Sequence, residues 1–285
     1  METVNTIEAI RKLVSAERAN GKTIGLVPTM GALHVGHISL MKAAVAGCDF
    51  VVVSIFVNPT QFGPSEDFDK YPRDLEADMR VCEEAGVAVV FVPSVDEMYP
   101  EKNITWVTVD EITDKLCGAS RPSHFRGVTT VCAKLFNIVG ADLAFFGQKD
   151  AQQAVVIQRM VADLNMPIEI VVCPTVRCES GLAVSSRNTY LSDPEKKDAA
   201  LLYAALQRCG KLFTEGCRDS GKLIEAMRET ISASSKIQIE YINITDTRTL
   251  EDIDMIEGSA LATIAAKVGP SRLIDNIVLG LEEGG

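Results

Sequence analysis

No stretch of this sequence approaches the ~18 uninterrupted apolar residues of a membrane-spanning helix, so nothing in it reads as a bilayer span. The opening segment METVNTIEAIRKLVSAERAN lacks the charged start and apolar block of a secretory signal, and a cytoplasmic protein is expected. Positive charge is in deficit: 28 Lys and Arg against 39 Asp and Glu give a net charge of −11. That balance argues against attraction of the whole protein to nucleic acid or to an anionic membrane, while leaving room for a local phosphate pocket. The eight cysteines contain no C-x-x-C pair and are irregularly spaced, and several lie in apolar runs such as IEIVVCP. Buried free thiols in a reducing compartment are therefore expected, rather than a zinc site or a disulfide framework. No G-x-x-x-x-G-K-[ST] loop occurs, which disfavours P-loop hydrolysis. Internal repeats and low-complexity segments are lacking too. Histidine is sparse, with three in the chain, yet two of them share the stretch PTMGALHVGH.

What is present is an alternation of short apolar runs and longer helical patterns. TIGLVP (23–28), FVVVSIFVN (50–58), VAVVFVP (87–93), LAFFG (143–147) and IEIVVCPTV (168–176) are continuous rather than alternating. Such runs suit parallel strands buried on both faces. Helical texture lies between them, near 36–47, 73–85, 126–139 and 149–163, and Val4, Ile7, Ile10 and Leu13 recur at helical spacing at the start. The pattern predicts an α/β fold with a Rossmann-like, doubly wound parallel sheet. After about residue 185 the texture changes. Two helices are expected, the first opened by Asp193 with Pro194 in its first turn. Strands KIQIEYINITD and LATIAAKV follow, with one solvent-facing side. The expected division is 1–180 for the large domain and 181–285 for a smaller α+β domain.

Ligands of open α/β sheets sit beyond the carboxyl ends of the strands. PTMGALHVGH follows the first major run, NPTQFG the second, GQKD the run LAFF, and VRCESGLAVSSRN the run IEIVVCPT. In the first of these, Gly31 and Gly36 let the backbone approach a ligand, and His37 falls near a helix N-terminus, where unpaired N–H groups attract phosphate. His34 and His37 are three residues apart, as neighbours on one helical turn would be. They either cap that helix or face a ligand; as a metal pair they lack a third ligand nearby. Lys149 in GQKD suits phosphate oxygens or is a solvated first-turn residue. The loop AVSSRN offers hydroxyls and a guanidinium for phosphate. Arg121 and Arg126 in RPSHFRG are further cations, and His124 is read as equally suited to a structural role.

PTMGALHVGH, SIFVNPTQF, YPR, RPSHFRGV, KLFNIV, FFGQKDAQQ, GLAVSSRNTYL and RLIDN together resemble the pantoate–β-alanine ligase family, in order and over essentially the whole chain. The His-x-Gly-His element alone marks the wider nucleotidyltransferase superfamily. The resemblance implies condensation of pantoate with β-alanine, using ATP and Mg²⁺, through a pantoyl-adenylate. It also implies a cytoplasmic homodimer with a C-terminal lid domain. By motif, Met30, Gly31, Ala32, Leu33, His34, Val35, Gly36 and His37 would line the ATP site. Gly147, Gln148, Lys149, Asp150, Val176, Val184, Ser185, Ser186 and Arg187 would complete it. Catalytic roles would fall to His37, as the proposed proton donor, and to His34, Lys149 and Arg187. Gln61 and Gln153 would hold pantoate, with Gln61 also near β-alanine. Ser180 stands where the family usually has aspartate, and GADLAFF stands where Pro-Asp usually precedes the strand. Two other readings compete: a nucleotide-cofactor adenylyltransferase, and a non-catalytic nucleotide-binding module on the same fold.

Overall fold

A computed structural model describes residues 1–63, 68–69 and 71–280. The chain divides into two compact units. The first comprises Met1–Gly147 and Gln153–Pro174, the second Gln148–Gln152 and Thr175–Gly285.

The first unit runs β1 (Glu2–Val4), α1 (Ile7–Ala19), β2 (Ile24–Thr29), α2 (Val35–Gly47), β3 (Phe50–Ile55), α3 (Leu75–Glu84) and β4 (Val89–Phe91). It continues through the short α4 (Val95–Met98) and α5 (Leu116–Ser120), then α6 (His124–Val139), β5 (Leu143–Gly147), α7 (Ala151–Asp163) and β6 (Glu169–Cys173). The six strands form one parallel sheet in the order β1-β4-β3-β2-β5-β6. Adjacent residues of a strand point to opposite faces, and both faces are covered. Leu26, Val52 and Phe146 join α1, α6 and α7 in one core. Val27, Val53 and Phe145 join α2 and α3 in another. This double burial is why the inner strands read as unbroken apolar runs; the edge strand β6 differs from expectation, since only Cys173 of its five residues is buried.

Chain order reverses on the two sides of β2, which pairs with β3 on one flank and β5 on the other. The carboxyl ends of β2 and β5 thus flank the topological switch point, where open α/β sheets bind their ligands. One N-terminal feature differs from expectation. Val4 lies in an edge strand paired with β4, and α1 starts only after Thr6, whose side chain accepts the Ala9 N–H.

The second unit contains α8 (Asp193–Thr214), α9 (Ser220–Ile231), β7 (Ile237–Asp246), β8 (Ala260–Val268) and β9 (Ser271–Leu279). The strands form an antiparallel sheet in the order β7-β8-β9. Leu202 and Leu206 of α8 and Leu223 and Met227 of α9 bury against Ile264 and Leu273 of the sheet. α8 opens at Asp193 with Pro194 in its first turn, as the sequence suggests, and Ser192 is its N-cap: Glu195 reaches back to the Ser192 N–H at 2.8 Å, closing a capping box. The solvent-facing alternation expected of both strands fails for β8, the central strand, where Lys267 alone is exposed.

Candidate functional site

The turn after β2 is shaped by its neighbours. Gly31 adopts φ +83°, a left-handed conformation that favours glycine, and Ala32 follows at φ 51°. The buried carboxylate of Asp78, on α3, holds this turn by accepting the N–H groups of Ala32 at 3.0 Å and Leu33 at 2.7 Å. A side chain at Gly31 would collide with it, since a Cβ there would lie 2.8 Å from Asp78 Oδ2. Asp78 is absent from the sequence reading because an acid in LEADMRVCEE looks like an ordinary solvated helix residue.

His34 is extended (φ −138°, ψ 176°) and is the N-cap of α2. Its Nδ1 accepts the Gly36 N–H at 3.1 Å, and His37 Nδ1 accepts the His34 N–H at 3.2 Å. The pair makes a reciprocal cap built from imidazoles, with ring centroids 4.1 Å apart. An Nδ1 that accepts a backbone N–H carries no hydrogen, so these bonds assign each neutral ring its hydrogen at Nε2. The cap and the ligand-facing role are therefore compatible. Nδ1 is committed to the helix end, and Nε2–H is the donor each ring presents elsewhere.

Gln61 ends a 3-10 turn, Pro59–Gln61, that follows β3. Its Oε1 accepts from Asn58 Nδ2 at 3.2 Å, and its Nε2 lies 2.8 Å from Met30 Sδ. Two segments that sequence alone placed at one sheet edge are joined by this contact. Asn58 is 1% exposed. It also donates to the Gly127 carbonyl and accepts from Thr60 Oγ1 and Tyr99 Oη. Helix α6 approaches so closely that a Cβ on Gly127 would lie 2.4 Å from the Thr60 carbonyl oxygen. His124 takes a structural part: its Nδ1 meets the Gln61 carbonyl at 2.9 Å and its Nε2 meets Arg121 at 3.1 Å. Arg126 lies over the Trp106 ring, 4.7 Å from its centroid. Gln153, in the first unit, is half-buried on α7.

In the second unit, Gln148, Lys149 and Asp150 form a 3-10 turn leading into α7. Lys149 is mostly buried, with Nζ 3.3 Å from Asp150 Oδ1. The Val184 N–H donates to the Val176 carbonyl at 3.0 Å, closing the loop 177–183 with a bridge between Arg177 and Ala183. Ser185 then caps a 3-10 turn, Ser186–Tyr190, through the Arg187 N–H, and Arg187 itself is exposed. Arg177 forms a bidentate ion pair with Asp275 at 2.6 and 2.9 Å and lies over Tyr203, 3.6 Å from the ring centroid. Neither Arg177 nor Asp275 is among the site residues expected from sequence.

All eight cysteines are free thiols. Burial pushes Cys82, Cys132 and Cys209 up to about 12, with the neighbouring Asp78 adding to the rise at Cys82. Cys178 is exposed, with Sγ 3.0 Å from Ser180 Oγ. Limited burial acts to raise its thiol. Hydrogen bonds with Ser180 and the Leu182 backbone outweigh this and hold it below the ordinary thiol range. Among the described residues no helix is long and apolar enough to cross a membrane.

Residues 2–278 match the family model described as pantoate-beta-alanine ligase. The chain is 55% identical over 281 residues to the pantothenate synthetase of Pelotomaculum thermopropionicum, covering 98% of this chain and 99% of that protein. It is 53% identical over 283 residues to the Moorella thermoacetica pantothenate synthetase, covering 99% and 100%. Among solved structures, pantothenate synthetase from Thermus thermophilus superposes with a TM-score of 0.92 at 44% identity, covering 97% of this chain and 99% of that one. A Francisella tularensis pantoate-beta-alanine ligase complexed with beta-gamma ATP and beta-alanine gives 0.79 at 34% identity, covering 100% and 99%.

Proposed function

The chain belongs to the pantoate–beta-alanine ligase family and is an ATP-dependent ligase that condenses pantoate with β-alanine; from that premise we propose how its residues divide the work. The pantoate carboxylate attacks the α-phosphorus of ATP, forming the mixed anhydride pantoyl-adenylate and releasing pyrophosphate. The β-alanine amine then attacks the acyl carbon, forming the amide and releasing AMP. A carboxyl group with a pKa near ~4 is ionised at neutral pH and needs no base. The difficulty of the first step is electrostatic, because an anion approaches a polyanion while a second polyanion leaves.

We assign the relief of that charge to His34 and His37 as neutral Nε2–H donors, and to Lys149 and Arg187 as cations. The observation that carries this is the histidine cap. With both Nδ1 atoms accepting backbone N–H groups, protonating either ring there would set a donor against a donor and break the helix end. The rings are therefore suited to donating a hydrogen bond rather than to removing a proton from the nucleophile. Met30–His37, Gly147–Asp150, Val176 and Val184–Arg187 are assigned to ATP. Gln61 and Gln153 are assigned to pantoate, and Gln61 also to β-alanine. The bonds from Asn58 and to Met30 support a fixed Gln61 amide, which supplies the orientation term. Mg²⁺ is assigned to the nucleotide as MgATP, where it would offset the charge of the phosphates. A cytoplasmic homodimer, as the resemblance implies, completes the reading, and the free thiols suit a reducing compartment.

The test is product analysis in two stages. With MgATP and pantoate alone, ATP–pyrophosphate exchange should appear. On adding β-alanine, AMP and pantothenate should form in equal amounts. Formation of ADP and phosphate would overturn the adenylate route.

A further inference from the structure

Strand β9 carries the motif RLIDN, for which the assigned chemistry has no use, and the strand buries three polar residues, Ser271, Asp275 and Asn276, of which Ser271 and Asn276 bond segments that carry the assigned cations. Asn276 is 4% exposed. Its Nδ2 donates to the carbonyls of Gln148 at 2.9 Å and Lys149 at 3.0 Å. Its Oδ1 accepts the Gln148 side-chain amide at 2.9 Å. Both hydrogens of one amide and its oxygen are thus spent on two consecutive residues, the second being Lys149.

Asn276 is in turn held from behind. Its N–H donates to Asp275 Oδ1 at 2.8 Å, and Asp275 is locked by the bidentate bonds from Arg177. At the start of the same strand, Ser271 Oγ donates to the Arg187 carbonyl at 3.1 Å. One strand therefore fixes the backbone of both assigned cations, across 127 residues of sequence to Lys149 and 84 to Arg187.

We propose that Asn276 is a positioning residue for adenylation: through the Gln148 and Lys149 carbonyls it sets where the Lys149 ammonium stands against the nucleotide phosphates, with Asp275 and Arg177 keeping its amide in register. The reasoning is geometric. A lysine side chain is a long flexible stem, so its charge is only as well placed as the backbone that carries it. A buried amide with both donors and its acceptor satisfied has a single orientation. Displacing a catalytic charge by about 1 Å costs up to about 100-fold in rate. The inference rests on Lys149 contacting phosphate, and the experiment separates the two.

The measurement is pantoate-dependent ATP–pyrophosphate exchange in four proteins: the parent, Asn276→Ala, Lys149→Ala and the double variant. Asn276→Ala should lower kcat/KM for ATP by about 10- to 100-fold and leave KM for pantoate unchanged. In the Lys149→Ala background the same substitution should cost less than about 3-fold, because the charge it positions is gone. Should Asn276→Ala not fold, Asn276→Asp replaces it in both backgrounds. That variant keeps the size and the acceptor but sets an oxygen against two carbonyls. Equal losses in both backgrounds, or no loss in the parent, would overturn the positioning role while Lys149 keeps its own. Near-parental exchange in Lys149→Ala alone would overturn the phosphate assignment, and the inference with it.

Discussion

The carboxylate of Asp78 accepts the backbone N–H of Leu33 at 2.7 Å, across 45 residues of sequence. With the Ala32 N–H on its other oxygen, it satisfies two donors in the turn that leads to the histidine cap. Asp78→Asn keeps the shape but turns an NH₂ toward one of those donors. A buried donor left unsatisfied costs about 1–3 kcal/mol, so stability in urea should fall by that much and ATP use should weaken. An unchanged midpoint with unchanged kinetics would show that the turn holds its shape without Asp78.

The histidine cap separates stability from chemistry. His34→Asn retains an N-cap acceptor and loses the Nε2–H, so the protein should keep its melting temperature while adenylation falls. His34→Ala should lose both, with a stability cost of about 1 kcal/mol. His37→Ala should cut pantoate-dependent exchange by about 10²–10³-fold, the scale of one lost transition-state donor. Exchange at the parental rate in His34→Asn and His37→Ala would reduce the pair to a structural cap.

Gln153→Ala should chiefly raise KM for pantoate and leave KM for ATP near its parental value. Initial-rate kinetics with each substrate varied in turn decide this. A rise confined to ATP would remove Gln153 from the pantoate assignment.

Cys178 should be the first cysteine to alkylate. The thiolate is the reactive form, and a thiol held below its ordinary value is ionised at a lower pH. Its iodoacetamide rate should therefore level off at a lower pH than that of an ordinary thiol. Cys82, Cys132 and Cys209, pushed up to about 12, should stay unmodified in the folded protein. Ser180→Ala should move the Cys178 midpoint upward, and mass spectrometry of labelled peptides across a pH series reads it. A midpoint that ignores the substitution would remove Ser180 as the cause.

Gly127→Ala should disturb Gln61 through its backbone, since the added methyl would lie 2.7 Å from the Gln61 Cα. The added methyl must displace the Thr60 carbonyl, and overpacking of this kind costs about 1–3 kcal/mol. The melting temperature should fall and KM for pantoate should rise together. A fall in stability with pantoate kinetics intact would show that the Asn58–Gln61 pair tolerates the shift.

Much of the first unit is legible in sequence because its inner strands are buried on both faces, and runs such as FVVVSI and LAFFG then have one reading. β1 is not, since two of its three residues are polar and it exists only by pairing with β4, far along the chain. β9 hides for a related reason. Asp275 and Asn276 interrupt its apolar pattern, and they are tolerated in a buried strand only because Arg177 and the Gln148–Lys149 carbonyls satisfy them. Among the assigned residues, the histidines and Lys149 stand out through spacing and glycine context. Asp78, Asn58, Arg177 and Asn276 do not. Each acts on backbone or on another side chain brought near by the fold, and helical or strand periodicity carries no trace of such a partner.

The segment Gln148–Gln152 belongs to the second unit although the chain on both sides of it belongs to the first. The second unit is consequently not a module that one cut can release. A fragment beginning at Thr175 would lack the carbonyls that Asn276 binds and would expose a buried amide with no partner. Chimeras that exchange this unit between relatives must exchange the five-residue segment with it, as an insertion transplanted together with its distant C-terminal half.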